Sequence, residues 1–190
     1  MGYLELQHEA QNLLQLYPVF LHSKTTGAGT LSEVVEIAIL NSGGTPLAEE
    51  LVRPKRHIRP VATLEHGISD EMVRAAPDWL EVLPRVRTCL AGQQVCTYDP
   101  ATEIQALKNS YENSRQRWDL DSAIFISLMD LCARYKNEWD ARSASFRTFS
   151  LEDAVQLLGV EVELIGSRRA REDAWLMRAL LLAIAGWKVR

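Results

Sequence analysis

The chain has 190 residues, enough for one domain with a buried core. Hydrophobic residues make up 47% and charged residues 24%, the balance of a soluble globular chain, and no apolar run approaches the ~18 residues that a membrane helix needs. A formal net charge of −4 excludes a protein that grips nucleic acid by overall basicity.

The N-terminal stretch "MGYLELQHEAQNLLQLY" lacks the basic-then-apolar pattern of a secretory leader, and Leu6 stands where a myristoylation signal carries Ser or Thr. Leu4, Leu6, Leu13, Leu14 and Leu16 recur at helical spacing and predict an amphipathic leading helix over 3–16, ended by Pro18. "PVFLHS" reads as a buried strand, "GAGT" as a turn, "SEVVEIAILNSGG" as a second strand and "LAEELVRP" as a third, in an antiparallel meander. "SDEMVRAA" opens a helix with Ser69 as its N-cap. "PDWLEVLPRVRTCLAG" is another, bent at Pro84 and closed by Gly92. "QQVCTY" is a fourth, buried strand, and 100–113 a helix with Pro100 in its first turn. "AIFISL" is a strand or the lead into the helix "SLMDLCARYKNEW", and 137–149 reads as an irregular loop. "SLEDAVQLLGV" is a helix with Ser150 as N-cap and Gly159 past its end, and the last helix runs from about Arg169 to Ala185.

Three strands, then alternating helices and strands, then helices make an α/β fold with a mixed sheet. The expectation is one domain over 1–190, with 1–17 a leading helix and 18–190 the core. Cys89, Cys96 and Cys132 form no CxxC pair, so buried thiols and a cytoplasmic location are expected rather than structural zinc. "RPKRHIRP" (53–60) and "RRAR" (168–171) are the basic concentrations, each read first as a solvated face.

Four stretches in order resemble one family. "VFLHSKTTGAG" with "EVVEIAIL" is similar to the strand–turn–strand of DEDD-type 3′–5′ exonucleases, relatives of the proofreading epsilon subunit of DNA polymerase III, usually written Asp-x-Glu-Thr-Thr-Gly. "LVRPKRHIRPVATLEHGISDEMV" resembles the family segment that ends in His-Gly-Ile, and is the most specific match. "VCTYDPATEIQAL" resembles its Tyr-Asn-x-x-Phe-Asp segment, and "GSRRAREDAWLMRALL" its final His-x-x-x-x-Asp-Ala motif. The resemblance implies a ribonuclease H-like (exonuclease) fold, with a mixed central sheet of about five strands flanked by helices.

It also implies a chemistry. Family members cleave a terminal phosphodiester with two metal ions held by four carboxylates, helped by a histidine base. Carried over position by position, the first Asp falls on His22, the Glu on Lys24, the second Asp on Glu103, the His on Arg168 and the last Asp on Asp173. Lys24 and Arg168 bring positive charge to a cation site, so the expectation is that Lys24 and Arg168 neutralise Glu103 and Asp173 without metal. Thr25, Thr26, Gly27, His66, Tyr98 and Asp99 occupy nucleotide-facing positions of the family pattern. Thr102 replaces its Phe.

The reading is therefore a degenerate, catalytically inactive exonuclease-like protein, acting as a nucleic-acid-binding or protein-interaction module, with no cofactor. Its partners would be single-stranded nucleic-acid ends or a protein of a replication, repair or defence complex, and no membrane. Two alternatives stay open. One is an active exonuclease with a rearranged site, using Mg or Mn on Asp173, Glu103 and His22. The other is an assembly subunit without nucleic-acid contact.

Overall fold

The computed structural model describes residues 2–160 and 168–188. Five strands, β1 (Val19–Thr25), β2 (Val34–Leu40), β3 (Pro46–Leu51), β4 (Gln94–Thr97) and β5 (Ile124–Ser127), form one sheet in the order β3-β2-β1-β4-β5. The β1–β2 and β2–β3 pairs are antiparallel, and β1–β4 and β4–β5 are parallel. The expected mixed sheet is thus present, with β1 at its centre.

Register decides what each face carries. Phe20 opposes Leu40, His22 opposes Ala38 and Lys24 opposes Glu36. Directly opposed residues project to the same face, so these three pairs share one side. On it, Phe20 and Leu40 enter a core with α1 (Tyr3–Gln15), α6 (Leu128–Lys136), α7 (Leu151–Leu157) and α8 (Ala170–Ile184). The other side carries Leu21, Ile37 and Ile39, which pack with Trp79 and Leu83 of α4 (Trp79–Leu90) and Leu107 and Tyr111 of α5 (Pro100–Asn113). Moving along β1 toward its C-terminal end, the α8-facing side changes from apolar Phe20 to His22 and Lys24.

Three local expectations are corrected. "PVATLEH" forms a helix, α2 (Pro60–His66), with Pro60 in its first turn and Gly67 at φ 74° closing it. The helix expected over "SDEMVRAA" is a single turn, α3 (Asp70–Val73), capped by Ser69. The stretch 137–149 is not wholly irregular: β6 (Trp139–Asp140) and β7 (Ser145–Phe146) form a small hairpin closed by an edge-on Trp139–Phe146 pair. Pro84 lies inside α4 on its exposed side, where a missing amide disturbs no packing. Cys96 and Cys132 are buried and unpaired, and burial pushes both thiols up. Among the described residues, no helix is long and apolar enough to cross a membrane.

The start of α8 is fixed by one buried carboxylate. Glu36 is 4% exposed; its Oε1 meets the Arg169 guanidinium, with Nε at 2.7 Å, and its Oε2 accepts the Ala170 N–H at 2.8 Å. A carboxylate at a helix N-terminus satisfies an orphan donor and opposes the positive end of the helix dipole. Glu36→Ala strands Arg169 and that N–H together. The expected loss is about 3 kcal/mol of unfolding free energy, read by urea titration; a loss below about 1 kcal/mol would refute this role.

Candidate active site

Alternation along β1 aims His22 and Lys24 at the first turn of α8, from which Asp173 reaches back. Lys24 Nζ lies 2.5 Å from Asp173 Oδ2, and His22 Nε2 lies 3.1 Å from the same oxygen. On the other side of the imidazole, His22 Nδ1 is 3.7 Å from Glu103 Oε2, beyond hydrogen-bond length. Glu103 comes from the first turn of α5, and its Oε2 accepts the Ser23 backbone N–H at 3.3 Å. Its Oε1 and the facing His22 Nδ1 are both buried without a hydrogen-bond partner.

The two carboxyls are driven apart. Burial pushes Glu103 up, and the opposing pulls of His22, the Ser23 N–H and Lys24 do not cancel it. Burial acts on Asp173 in the same sense, but His22 and Lys24 outweigh it and hold Asp173 at about 2. One carboxyl therefore leans toward its neutral acid while the other is firmly a carboxylate.

The expected charge partner Arg168 is elsewhere. It is exposed and pairs with Glu152 of α7 at 3.0 Å, because the chain turns into α8 only after it. The buried guanidinium is that of its neighbour Arg169, on Glu36. Lys24 and Glu36 are cross-strand partners, so two cations and two anions interlock between β1–β2 and α8. Sequence reading missed Glu36 and Arg169. The signal was available: a lone carboxylate within "VVEIAIL", fully buried, demands a cation.

The remaining positions divide by role. His66 is buried; its Nε2 faces the Thr25 carbonyl at 3.1 Å and its Nδ1 accepts the Ile68 N–H at 3.1 Å, so it ties the His-Gly-Ile turn to the end of β1. Burial lowers its pKa, in keeping with a neutral imidazole held by these two bonds. Thr25 Oγ1 donates to the Gly27 carbonyl, and Thr26 Oγ1 accepts the Glu33 N–H. Tyr98 is a correction: its ring lies in the core and its hydroxyl is held by the Phe149 and Ser150 carbonyls, leaving no face for a base. Asp99 is another, since its carboxylate caps α5 through the Ala101 N–H at 3.1 Å and the Thr102 hydroxyl at 2.7 Å. Gly166 and Ser167 of the last motif lie outside the described residues.

A Mg²⁺ or Mn²⁺ centre takes several hard oxygens. Here an ammonium sits on the Asp173 oxygen that would face the ion, and Glu103 is pushed toward its neutral form. Among the described residues, no three His, Cys, Asp or Glu side chains converge as a metal-holding group. The donor set as arranged does not fit a two-metal centre.

Comparison with known proteins places the chain. No family model matches it. It is 28% identical over 185 residues to the "uncharacterized exonuclease CP81" of Escherichia phage 186, covering 95% of this chain and 94% of that protein. It is 28% identical over 146 residues to RNA exonuclease 4 of Gibberella zeae, covering 77% of this chain and 41% of that protein. Its fold is similar to that of exonuclease X, solved with 5′ overhanging duplex DNA, with a TM-score of 0.61, 21% identity, and coverage of 90% of this chain and 93% of that one. Strand order, site placement and these relationships agree: the chain belongs to the DEDD-type 3′–5′ exonuclease family, with its ribonuclease H-like fold.

Proposed function

We propose that this protein binds nucleic-acid ends at the family's active-site position without metal ions and without hydrolysing them. The observation that carries this reading is the Lys24 ammonium 2.5 Å from Asp173 Oδ2. Four ionised carboxylates repel a phosphodiester unless divalent cations stand between. In this chain His22 and Lys24 supply the positive groups from β1, so an anionic strand end meets no uncompensated cluster of acids. What is lost is the activated water. Neither a buried, proton-leaning Glu103 nor an exposed, permanently charged Arg168 serves as its base. Known relatives of the fold are seen with DNA, as exonuclease X is, which supports a nucleic-acid end as the occupant.

A rearranged active enzyme is the second reading, favoured by His22 lying between Asp173 and Glu103 and by the exonuclease relatives. It requires Lys24 to leave Asp173 so that an ion can take its place.

Three outcomes follow. A labelled single-stranded oligonucleotide binds with the same affinity in EDTA as in Mn²⁺, and stays intact in both. Degradation that requires Mn²⁺ and vanishes in Asp173→Ala would instead establish the second reading; absence of salt-dependent binding would leave the assembly role.

In calorimetry, the His22→Asp, Lys24→Glu, Arg168→His variant binds Mn²⁺ where the parent does not. A variant that folds yet shows no heat would sink the idea that side-chain cations stand in for metals.

Acid unfolding reads the network itself. Asp173 is held below its ordinary value, so its contribution is complete above pH ~4 and is lost as pH falls through about 2. The shift corresponds to about 2 kcal/mol, and Lys24→Met removes part of it. Carboxyl NMR titration should show Asp173 rising in that variant; an unmoved Asp173 would mean His22 alone holds it.

A further inference from the structure

Beyond the end of β1 lies an open cleft of about 340 Å³. The loop 27–32 forms one wall, and Arg56, His57 and Arg59 stand on the other. We infer that this cleft is a phosphodiester subsite, holding the backbone of a single strand whose end lies at His22 and Lys24. The inference rests on the end-binding reading and extends it to residues outside the metal-site positions.

The loop is built to stay in place. Thr26 and Glu33 close it with reciprocal bonds: Thr26 N–H to the Glu33 carbonyl at 2.9 Å, and Glu33 N–H to Thr26 Oγ1 at 3.1 Å. Buried Asn109 of α5 donates to the Thr30 and Ser32 carbonyls at 3.0 and 2.7 Å. The basic wall is stitched on by the Arg59 N–H to the Thr26 carbonyl at 2.9 Å and the Lys55 N–H to Glu33 Oε2 at 2.9 Å. Gly27 lets the walls meet, for at φ 139° a Cβ there would lie 2.8 Å from Arg59 Cδ.

The cleft also suits an anion. The backbone N–H groups of Ala28, Gly29, Thr30 and Leu31 donate to no acceptor among the described residues. Successive peptide donors beside guanidinium groups recognise phosphate oxygens. The nearby acids compensate part of the charge: Glu33 Oε1 is 3.6 Å from Arg56 Nε, and Asp70 Oδ2 is 3.1 Å from His57 Nδ1. Arg59 donates to the Ala28 carbonyl at 3.1 Å and makes no ion pair among the described residues. On a chain of net charge −4, this is a local positive feature. Apolar side chains accompany it: Leu31 on the loop, and Val61 and Leu64 on α2, are 59%, 68% and 86% exposed. Charged groups for phosphates with apolar groups for bases match a single strand rather than a small anion.

The test titrates full-length protein with an oligothymidylate while following the amides of 27–32 by NMR and the salt dependence of binding by fluorescence anisotropy. The expected result is shifts at those amides. In Arg56→Gln, Arg59→Gln, affinity falls about tenfold or more and the salt slope flattens by about 1.4, the counterion release of two single-strand phosphates. The Arg56→Lys, Arg59→Lys variant, with an unchanged melting temperature, should recover most of the affinity. Strand binding with unmoved amides and an unchanged slope in the Gln variant would overturn the subsite and leave end binding standing. No strand binding by the parent protein would overturn both.

Discussion

Everything that gives this molecule its particular site depends on a crossed pair of ion pairs between two strands and one helix. Lys24 reaches from β1 to Asp173 of α8, and Arg169, just before α8, reaches back to Glu36 of β2. Lys24 and Glu36 are themselves opposite in register. The central strand, its neighbour and the first turn of the last helix are thus held by alternating charges at the polar end of an apolar layer. Such a buried network adds little net stability, because desolvation offsets most of the attraction. Its consequence is geometric: with both cations supplied by the chain, the two carboxylates are compensated in place.

That arrangement also explains why two carboxyls within reach of one imidazole behave differently. His22 touches Asp173 at 3.1 Å but stops short of Glu103 at 3.7 Å. Lys24 adds its charge on the Asp173 side. Glu103, 5% exposed, is left with one backbone donor and an unpartnered oxygen. Divergent environments of this kind assign opposite protonation tendencies to neighbouring acids. In an enzyme they would mark an acid and a base, but here no accessible nucleophile lies between them.

Much of this was legible in the sequence because it followed local rules. The β1 and β2 runs, the α5 boundaries set by Asp99 and Pro100, and the Ser150 cap of α7 were each written in a few adjacent residues. The substitutions His22 and Lys24 stood out against the family pattern. Arg168 was misjudged for a different reason. Adjacent arginines look equivalent in a string, yet the residue that faces the sheet is decided by where the helix begins, and only Arg169 lies within reach of Glu36. Tyr98 and Asp99 were misjudged similarly, since a motif position says nothing about a core partner or a helix cap competing for the side chain. α2 was hidden because seven residues between Pro60 and Gly67 are too short for a periodic signal.

The turn after β1 shows how a family signature can outlive the chemistry beside it. Thr26 and Gly27 are needed whether or not metal is bound, because one closes the loop against Glu33 and the other lets Arg59 approach within van der Waals distance. Asn109 then fixes the loop carbonyls from the opposite side of the sheet edge. With its carbonyls engaged by Asn109 and Arg59, the loop keeps peptide donors available in one fixed arrangement, so ordering them on binding costs little further entropy. Hydrolysis depends on the groups at the end of the strand, whereas holding a strand depends on this loop and the basic segment behind it. The two tasks rest on different residues, and substitutions at His22 and Lys24 can remove the first while leaving the second intact.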